Sequence, residues 1–185
     1  MEVIDLKKKI FLIIFLILIT GCSSNVNNDL NSLLTSKGKC SAFECINNIE
    51  PTNTVEEINN IIGIIGQLTD EKYNKYYWEL SDDSGIEVTY YSGDTGTISV
   101  DFDNKVLKNE KVDFSKYDEI KSQLDSGQSL TYDEFVTKVG GVQGILIEKS
   151  EYNKVFIWVA NDDSYLKATF SESTGKCTFI VGFVY

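Results

Sequence analysis

The chain contains no histidine and no arginine; all 17 of its basic residues are lysine. Without histidine there is no ordinary partner to activate a serine or cysteine nucleophile. The usual nitrogen ligand of structural and catalytic zinc is missing too, and the cysteines lack the close pairs of structural zinc sites. No glycine loop has the spacing that cradles phosphate. The sequence therefore excludes the commonest hydrolase and metal-site designs, and it implies no cofactor. Clustered cations are also missing beyond the first residues. The formal net charge is −11, and it becomes −12 once Glu2, Asp5 and Lys7 to Lys9 are set aside. Nucleic acid is thereby excluded as a partner, because binding phosphate by counterion release needs a basic cluster. An anionic membrane surface would likewise repel such a domain.

No apolar run reaches the roughly 20 residues that a spanning helix needs. The apolar stretch over residues 10–19 follows Lys7, Lys8 and Lys9 and leads into Thr20, Gly21 and Cys22. A basic flank, a short apolar region and small residues at a cleavage point form an export signal. Residues 1–21 are read as a signal peptide, and Ile19, Thr20, Gly21, Cys22 resembles the lipobox of bacterial lipoproteins. In that motif the Cys22 thiol takes a diacylglycerol and becomes the new N-terminus. The expected location is the extracytoplasmic face of the cell membrane, held by lipid; each buried methylene adds about 0.8 kcal/mol. Residues 22–39 hold little to bury and are expected to be the lipidated cysteine and a flexible tether, with an end-to-end reach of roughly 20 to 25 Å. Three cysteines follow Cys22: Cys40, Cys45 and Cys177. The odd number leaves at least one thiol free, and in a continuous helix Cys40 and Cys45 would stand farther apart than the disulfide range of about 4.4–6.8 Å. No disulfide is expected.

What is present is an internal repeat. Thr54, Val55, Glu56, Glu57 and Ile58 lead to Gly63, Gly66, Leu68 and later Tyr76, Tyr77, Trp78; Thr131, Tyr132, Asp133, Glu134 and Phe135 lead to Gly140, Gly141, Gly144, Leu146 and later Phe156, Ile157, Trp158. The offset is 77 at the threonine, 80 at the tryptophan and 79 from Gly96 to Gly175. Such long periods mark duplicated units that bury their apolar faces on one another. Each copy opens with a short helix, over about residues 42–49 and 115–124, in which Cys45 and Ile49 are spaced like Ile120 and Leu124. A second helix follows. Thr54 with Glu57 and Thr131 with Glu134 make capping boxes, and Gly63 and Gly140 stand where such helices end. Gly66, Gly141 and Gly144 are read as part of the same helix exits.

Beyond the glycines the residues alternate with period two, as strands do. Ile86, Val88, Tyr90 with Ile98, Val100, Phe102 share one face in the first copy. Leu166, Ala168, Phe170 with Cys177, Phe179, Val181 do so in the second. One buried and one wet face indicates antiparallel sheet with helices on one side. The expected fold is α+β: two tandem α-α-β4 repeats, over residues 40–110 and 111–185, each a four-stranded sheet with two helices on one face.

Two copies of helix, capped helix, glycine and four strands, with a tryptophan in the second strand, resemble the family of the beta-lactamase inhibitory protein. The resemblance spans nearly all of the chain after Cys40. Thr131, Tyr132, Asp133, Glu134, Gly140, Gly141, Gly144 and Trp158 carry it most fully; the first copy keeps Thr54, Glu57, Gly63 and Trp78 and has Ile64 where the second has Gly141. The resemblance implies that the sheets form a concave surface for a partner protein. It specifies fold more than function, and the cysteines and the polar outward strand positions depart from the inhibitor.

The outward face is expected to present Tyr77, Glu79, Glu87, Thr89 and Tyr91 in the first copy, and Ile157, Val159, Lys167, Thr169 and Ile180 in the second. Aromatic and aliphatic anchors in a polar field are what interface hot spots look like, although single exposed apolar residues on a sheet are also ordinary. Trp78 and Trp158 are expected in the core. Asp82, Asp83, Asp162 and Asp163, like Asp101 and Asp103, fit turn chemistry better than a calcium loop or a carboxylate dyad. Two functional classes follow: a surface-tethered protein-binding module, or a structural envelope lipoprotein whose sheet face is only solvated. Neither is an enzyme.

Overall fold

Three of the helices start from reciprocal caps. Ser41, Thr54 and Thr131 sit in extended backbone, and each side chain accepts from the amide three residues on, while Glu44, Glu57 and Glu134 accept from the amide of the cap residue. Two otherwise orphaned donors are thus satisfied at each start. The caps launch α1 (Ala42–Asn48), α2 (Val55–Ile62) and α4 (Tyr132–Lys138). Helix α3 (Lys116–Asp125) begins after Ser115 without a side-chain cap. The computed structural model describes residues 38–80, 83–91, 95–103, 107, 111–160 and 164–183. The expected signal peptide, Cys22, nearly all of the tether and the turn residues Asp82, Asp162 and Asp163 lie outside the described residues. Among the described residues no helix is long and apolar enough to cross a membrane.

Strands β1 (Gln67–Asp70), β2 (Lys75–Glu79), β3 (Gly85–Tyr90) and β4 (Gly96–Asp101) follow α2; β5 (Ile145–Lys149), β6 (Asn153–Val159), β7 (Tyr165–Ser171) and β8 (Cys177–Phe183) follow α4. The structure is α+β, as expected, but the strands make one eight-stranded antiparallel sheet in sequence order and not two sheets. The two halves join edge to edge, where Ile98 and Ser99 of β4 pair with Lys149 and Glu148 of β5. An unpaired strand edge exposes backbone donors and acceptors, and pairing β4 with β5 satisfies both edges at once.

Alternation places the core. Trp78, Ile86, Val88, Ile98 and Val100 pack with Ala42, Cys45, Ile46, Ile58 and Ile62 of α1 and α2. Trp158, Leu166, Ala168 and Phe170 pack with Ile120 of α3 and Phe135 and Val136 of α4. The tryptophans explain Gly66 and Gly144, which are not helix exits. A Cβ at either position would collide with the ring of Trp78 or Trp158. The Trp78 Nε1 and the Gly66 amide both donate to Asn59 Oδ1, at 2.8 Å each, and Trp158 Nε1 donates to the Val142 carbonyl at 2.9 Å. Gly63 does end α2, with φ 84°, and α4 runs out at Val139 ahead of left-handed Gly140 and Gly141.

Two expectations about individual residues are overturned. Cys40 and Cys45 form a disulfide. Cys40 is not in the helix: it precedes the cap Ser41, whose ψ of 156° turns the chain, and the Cα atoms come within 6.1 Å. That lies inside the range a disulfide accepts. Among the described residues Cys177 is the free thiol, and it is buried. In β8 the pairing shifts register between Thr169 and Phe170, where Cys177 faces Phe170 but Phe179 faces Thr169. The extra residue, Thr178, is a bulge, and one added residue reverses every later side chain. Ile180, expected to face outward, is therefore buried with the helices, and Phe179, expected in the core, is 60% exposed on the open face.

Candidate protein-binding face

The sheet face away from the helices divides into a polar and an apolar half. On β2 to β4, Lys75 and Glu87 form an ion pair at 2.9 Å. The hydrogen bond it donates to Glu87 is the main reason the Lys75 ammonium titrates above its ordinary range. Tyr77 lies over Gly85, where a Cβ would strike its ring, and its hydroxyl donates to Asp101 Oδ2 at 3.4 Å. Burial first, and Asp101 second, raise its phenol pKa. Tyr77 is thus committed to the sheet. Glu79 is exposed at the end of β2, where its carbonyl accepts from the Gly38 amide at 3.0 Å. Tyr91, 64% exposed, stands just past β3. Tyr77 and Glu79 share one strand; Tyr91 is not brought to them.

The other half is apolar. Val155 and Ile157 alternate with Phe156 and Trp158 along β6, so they leave the sheet on the open side. There they pack with Ile147, Ile145, Tyr165, Phe43, Phe102 and Leu107. Ile157 projects to the expected side but is only 2% exposed, because Phe43 of α1 and Phe102 and Leu107, from the segment joining β4 to α3, pack against that cluster. It is a floor and not a contact point. Val159 and Lys167 are half-buried on the same side, with Lys167 between Ile157 and Val181 in the register. Beyond them stand Phe179, Val181 and Phe183, the last 42% exposed and stacked on Tyr165 with ring centroids 4.6 Å apart. Phe179, Phe183 and Tyr165 are the surface residues that the alternation pattern missed. A signal was present: residues 179–185 form an uninterrupted apolar run, which alternation alone cannot assign to one face.

A concavity of about 400 Å3 lies beside the β4–β5 seam, between residues 50–52 and the β5–β6 turn. Four of the five charged residues that line it are paired with one another. Lys149 Nζ is 3.4 Å from Glu50 Oε1, and Lys154 meets Glu172 at 2.6 Å. Burial holds the Lys149 ammonium below its ordinary pKa, partly offset by Glu50. The buried Cys177 thiol is pushed up to about 11 by desolvation, which suppresses its thiolate and its reactivity. Asp83 has φ 59°, a left-handed turn that aspartate tolerates. Among the described residues no cluster of three or more His, Cys, Asp or Glu side chains could hold a metal. No family model matches the chain, and no curated protein or solved structure shows significant similarity to it.

Proposed function

We propose that the protein is an extracytoplasmic lipoprotein, anchored to the cell membrane by diacylglycerol on Cys22, that binds a protein partner through the open face of β6 to β8. One observation carries the reading: Phe179, Val181 and Phe183, with Tyr165 stacked beside them, form an exposed apolar strip next to half-buried Val159 and Lys167. Rigid aromatics around a lone cation, over a well-packed floor, are typical of binding hot spots. The reading includes two tandem α-α-β4 repeats presenting a concave face, as in the family of the beta-lactamase inhibitory protein. Matched details support the repeat. Gly38 bridges Leu80 as Val112 bridges Ala160, and the Leu80 and Ala160 amides donate to the Ser84 and Ser164 carbonyls at 2.9 and 2.7 Å.

The test uses the full chain as bait against surface and secreted proteins of its own cell. A captured partner is expected to weaken at least tenfold with Lys167→Glu plus Phe183→Ser and to be indifferent to Tyr91→Ala on the polar half. Capture unaffected by the double variant would move the function away from this face, toward a structural envelope role. Cys22→Ser is expected to release the chain from the membrane fraction; retention would remove the lipid anchor from the proposal.

A further inference from the structure

The two outer edges of the sheet are built differently. Edge strand β1 has four residues, a register shift between Leu68 and Asp70, and the charged run Asp70, Glu71, Lys72 at its end. Shortness, irregularity and charge are the ordinary ways of keeping an edge from pairing. Edge strand β8 has seven residues, Cys177 to Phe183, with no charge and no proline, in a chain of net charge −11. Its start is occupied, since the Cys177 amide donates to the Leu130 carbonyl at 2.7 Å. Past the Thr178 bulge, residues 179–183 pair regularly with β7, and β7 is the neighbour of β8 in the sheet order.

On the open face those five residues read the same in both directions, Phe179, Val181, Phe183, while on the helix side Ile180 would stand opposite Gly182. Laid antiparallel on itself about Val181, the strand sets Phe179 opposite Phe183 of the other copy, twice, and Val181 opposite Val181. All of these lie on the open face. Aromatic cross-strand pairs are stabilising, and no like charges meet. A twofold interface requires such self-complementarity. The fold already uses this solution once, where the outer edge of β4 takes β5.

We infer that β8 pairs with β8 of a second copy of this chain, antiparallel and centred on Val181, to form a twofold dimer with a continuous sheet. The inference deepens the proposed function and rests on it: the backbone edge of β8 is assigned to a second copy, and the open-face side chains, Phe179, Val181 and Phe183 with Val159 and Lys167, remain for a different protein. A single strand pair buries less than a standard interface of about 1,200–2,000 Å2, so the dimer is weak in dilute solution and is favoured where the chains are concentrated on a membrane.

Cysteine cross-linking of the full chain in detergent micelles and in membranes tests the register. The native thiols do not interfere, since Cys22 carries the lipid in the proposed mature chain, Cys40 and Cys45 are joined and Cys177 is buried. Val181→Cys is expected to give a covalent dimer under mild oxidation, because paired Cα atoms stand about 4.5–5.5 Å apart. Lys167→Cys is expected to give none, its two copies being about 14 Å apart across three strand spacings. Phe179→Cys and Phe183→Cys chains are expected to cross-link when mixed and far less when alone. Val181→Lys sets like charges opposite each other, and should weaken self-association at least tenfold in sedimentation with an unchanged melting temperature.

A Val181→Cys yield no greater than that of Lys167→Cys overturns the dimer. So does preferential linkage of Val181→Cys to Leu68→Cys on β1, which would mean head-to-tail filaments. Either result leaves the open-face reading standing if capture still responds to Lys167→Glu plus Phe183→Ser. Loss of that response with cross-linking intact would overturn the capture role alone.

Discussion

Gly144 and Gly140 stand four residues apart and are glycine for different reasons. At Gly140 the backbone is left-handed, φ 92°, and an added Cβ would meet nothing within 4 Å. At Gly144 the added Cβ would enter the Trp158 ring. Gly140→Ala should therefore cost about 1–2 kcal/mol through backbone strain, and Gly144→Ala about 1–3 kcal/mol through overpacking. A double-mutant cycle with Trp158→Phe separates the two. The smaller ring should relieve Gly144→Ala and leave Gly140→Ala additive, both read from urea unfolding. Equal coupling for both would contradict the assignment. The sequence shows both glycines and both tryptophans at repeat-equivalent positions, and the buried tryptophans were legible from that. The contact between glycine and tryptophan was not, because it depends on the register in which β5 pairs with β6, which sets Gly144 one residue beyond the Ile145–Ile157 pair and opposite Trp158, and no local pattern fixes that register.

The capped helices are the most legible elements, since a capping box is a local device with its parts three residues apart. The Thr131 cap is expected to contribute about 1 kcal/mol, read as the loss in Thr131→Ala. Its pH dependence follows from Glu134, as that of Thr54 follows from Glu57. Hydrogen bonds from the backbone and hydroxyl of the cap threonine hold both carboxyls below the usual 4.5. A carboxyl depressed in the folded state adds stability that is complete above pH 4.5 and disappears as pH falls through the lower folded value. The stability gap between wild type and Glu134→Ala, measured by denaturant titration, should thus be flat above about pH 5.5 and shrink toward pH 3; a gap that widens in acid would refute the cap. Strand β8 shows the opposite limit. Alternation from Cys177 onward places Phe179 and Val181 in the core and Ile180 outside, and a single bulged residue at Thr178 inverts that arrangement. The run after Thr178 is apolar at every position, so periodicity carried no information about the bulge. The disulfide escaped for a related reason: the helix begins two residues after Cys40, at Ala42, past the extended cap residue Ser41.

On the scale of the whole molecule, the seam between β4 and β5 decides how the halves act as one sheet, and Lys149 sits at its centre. It pairs with Ile98 across the seam and reaches Glu50, the residue just past the C-cap of α1. Its side chain is 4% exposed while that of Glu50 is 64% exposed, so the pair is lopsided: one ion bears most of the desolvation and its partner remains in water. Replacing such a buried charge by an apolar side chain of similar volume is often neutral or stabilising, whereas removing its partner strands the charge. Lys149→Met should accordingly stay within about 1 kcal/mol of wild type. Glu50→Ala should lose roughly 1 kcal/mol, solvent replacing part of what the exposed carboxylate supplies. The double variant should match Lys149→Met, since Glu50 then has no buried partner. The pH dependence has a definite sign. Burial lowers the Lys149 pKa in the folded state below the 10.5 of the unfolded chain. Between those two values the unfolded state binds more protons, and stability rises with pH. In Glu50→Ala the lowering is greater and the window wider, so its deficit should narrow as pH approaches 10.5. Thermal melts at pH 7 and pH 10 check this. A deficit that stays flat or grows with pH would mean that Glu50 does not act through the charge on Lys149, and that the seam owes nothing to the ion pair.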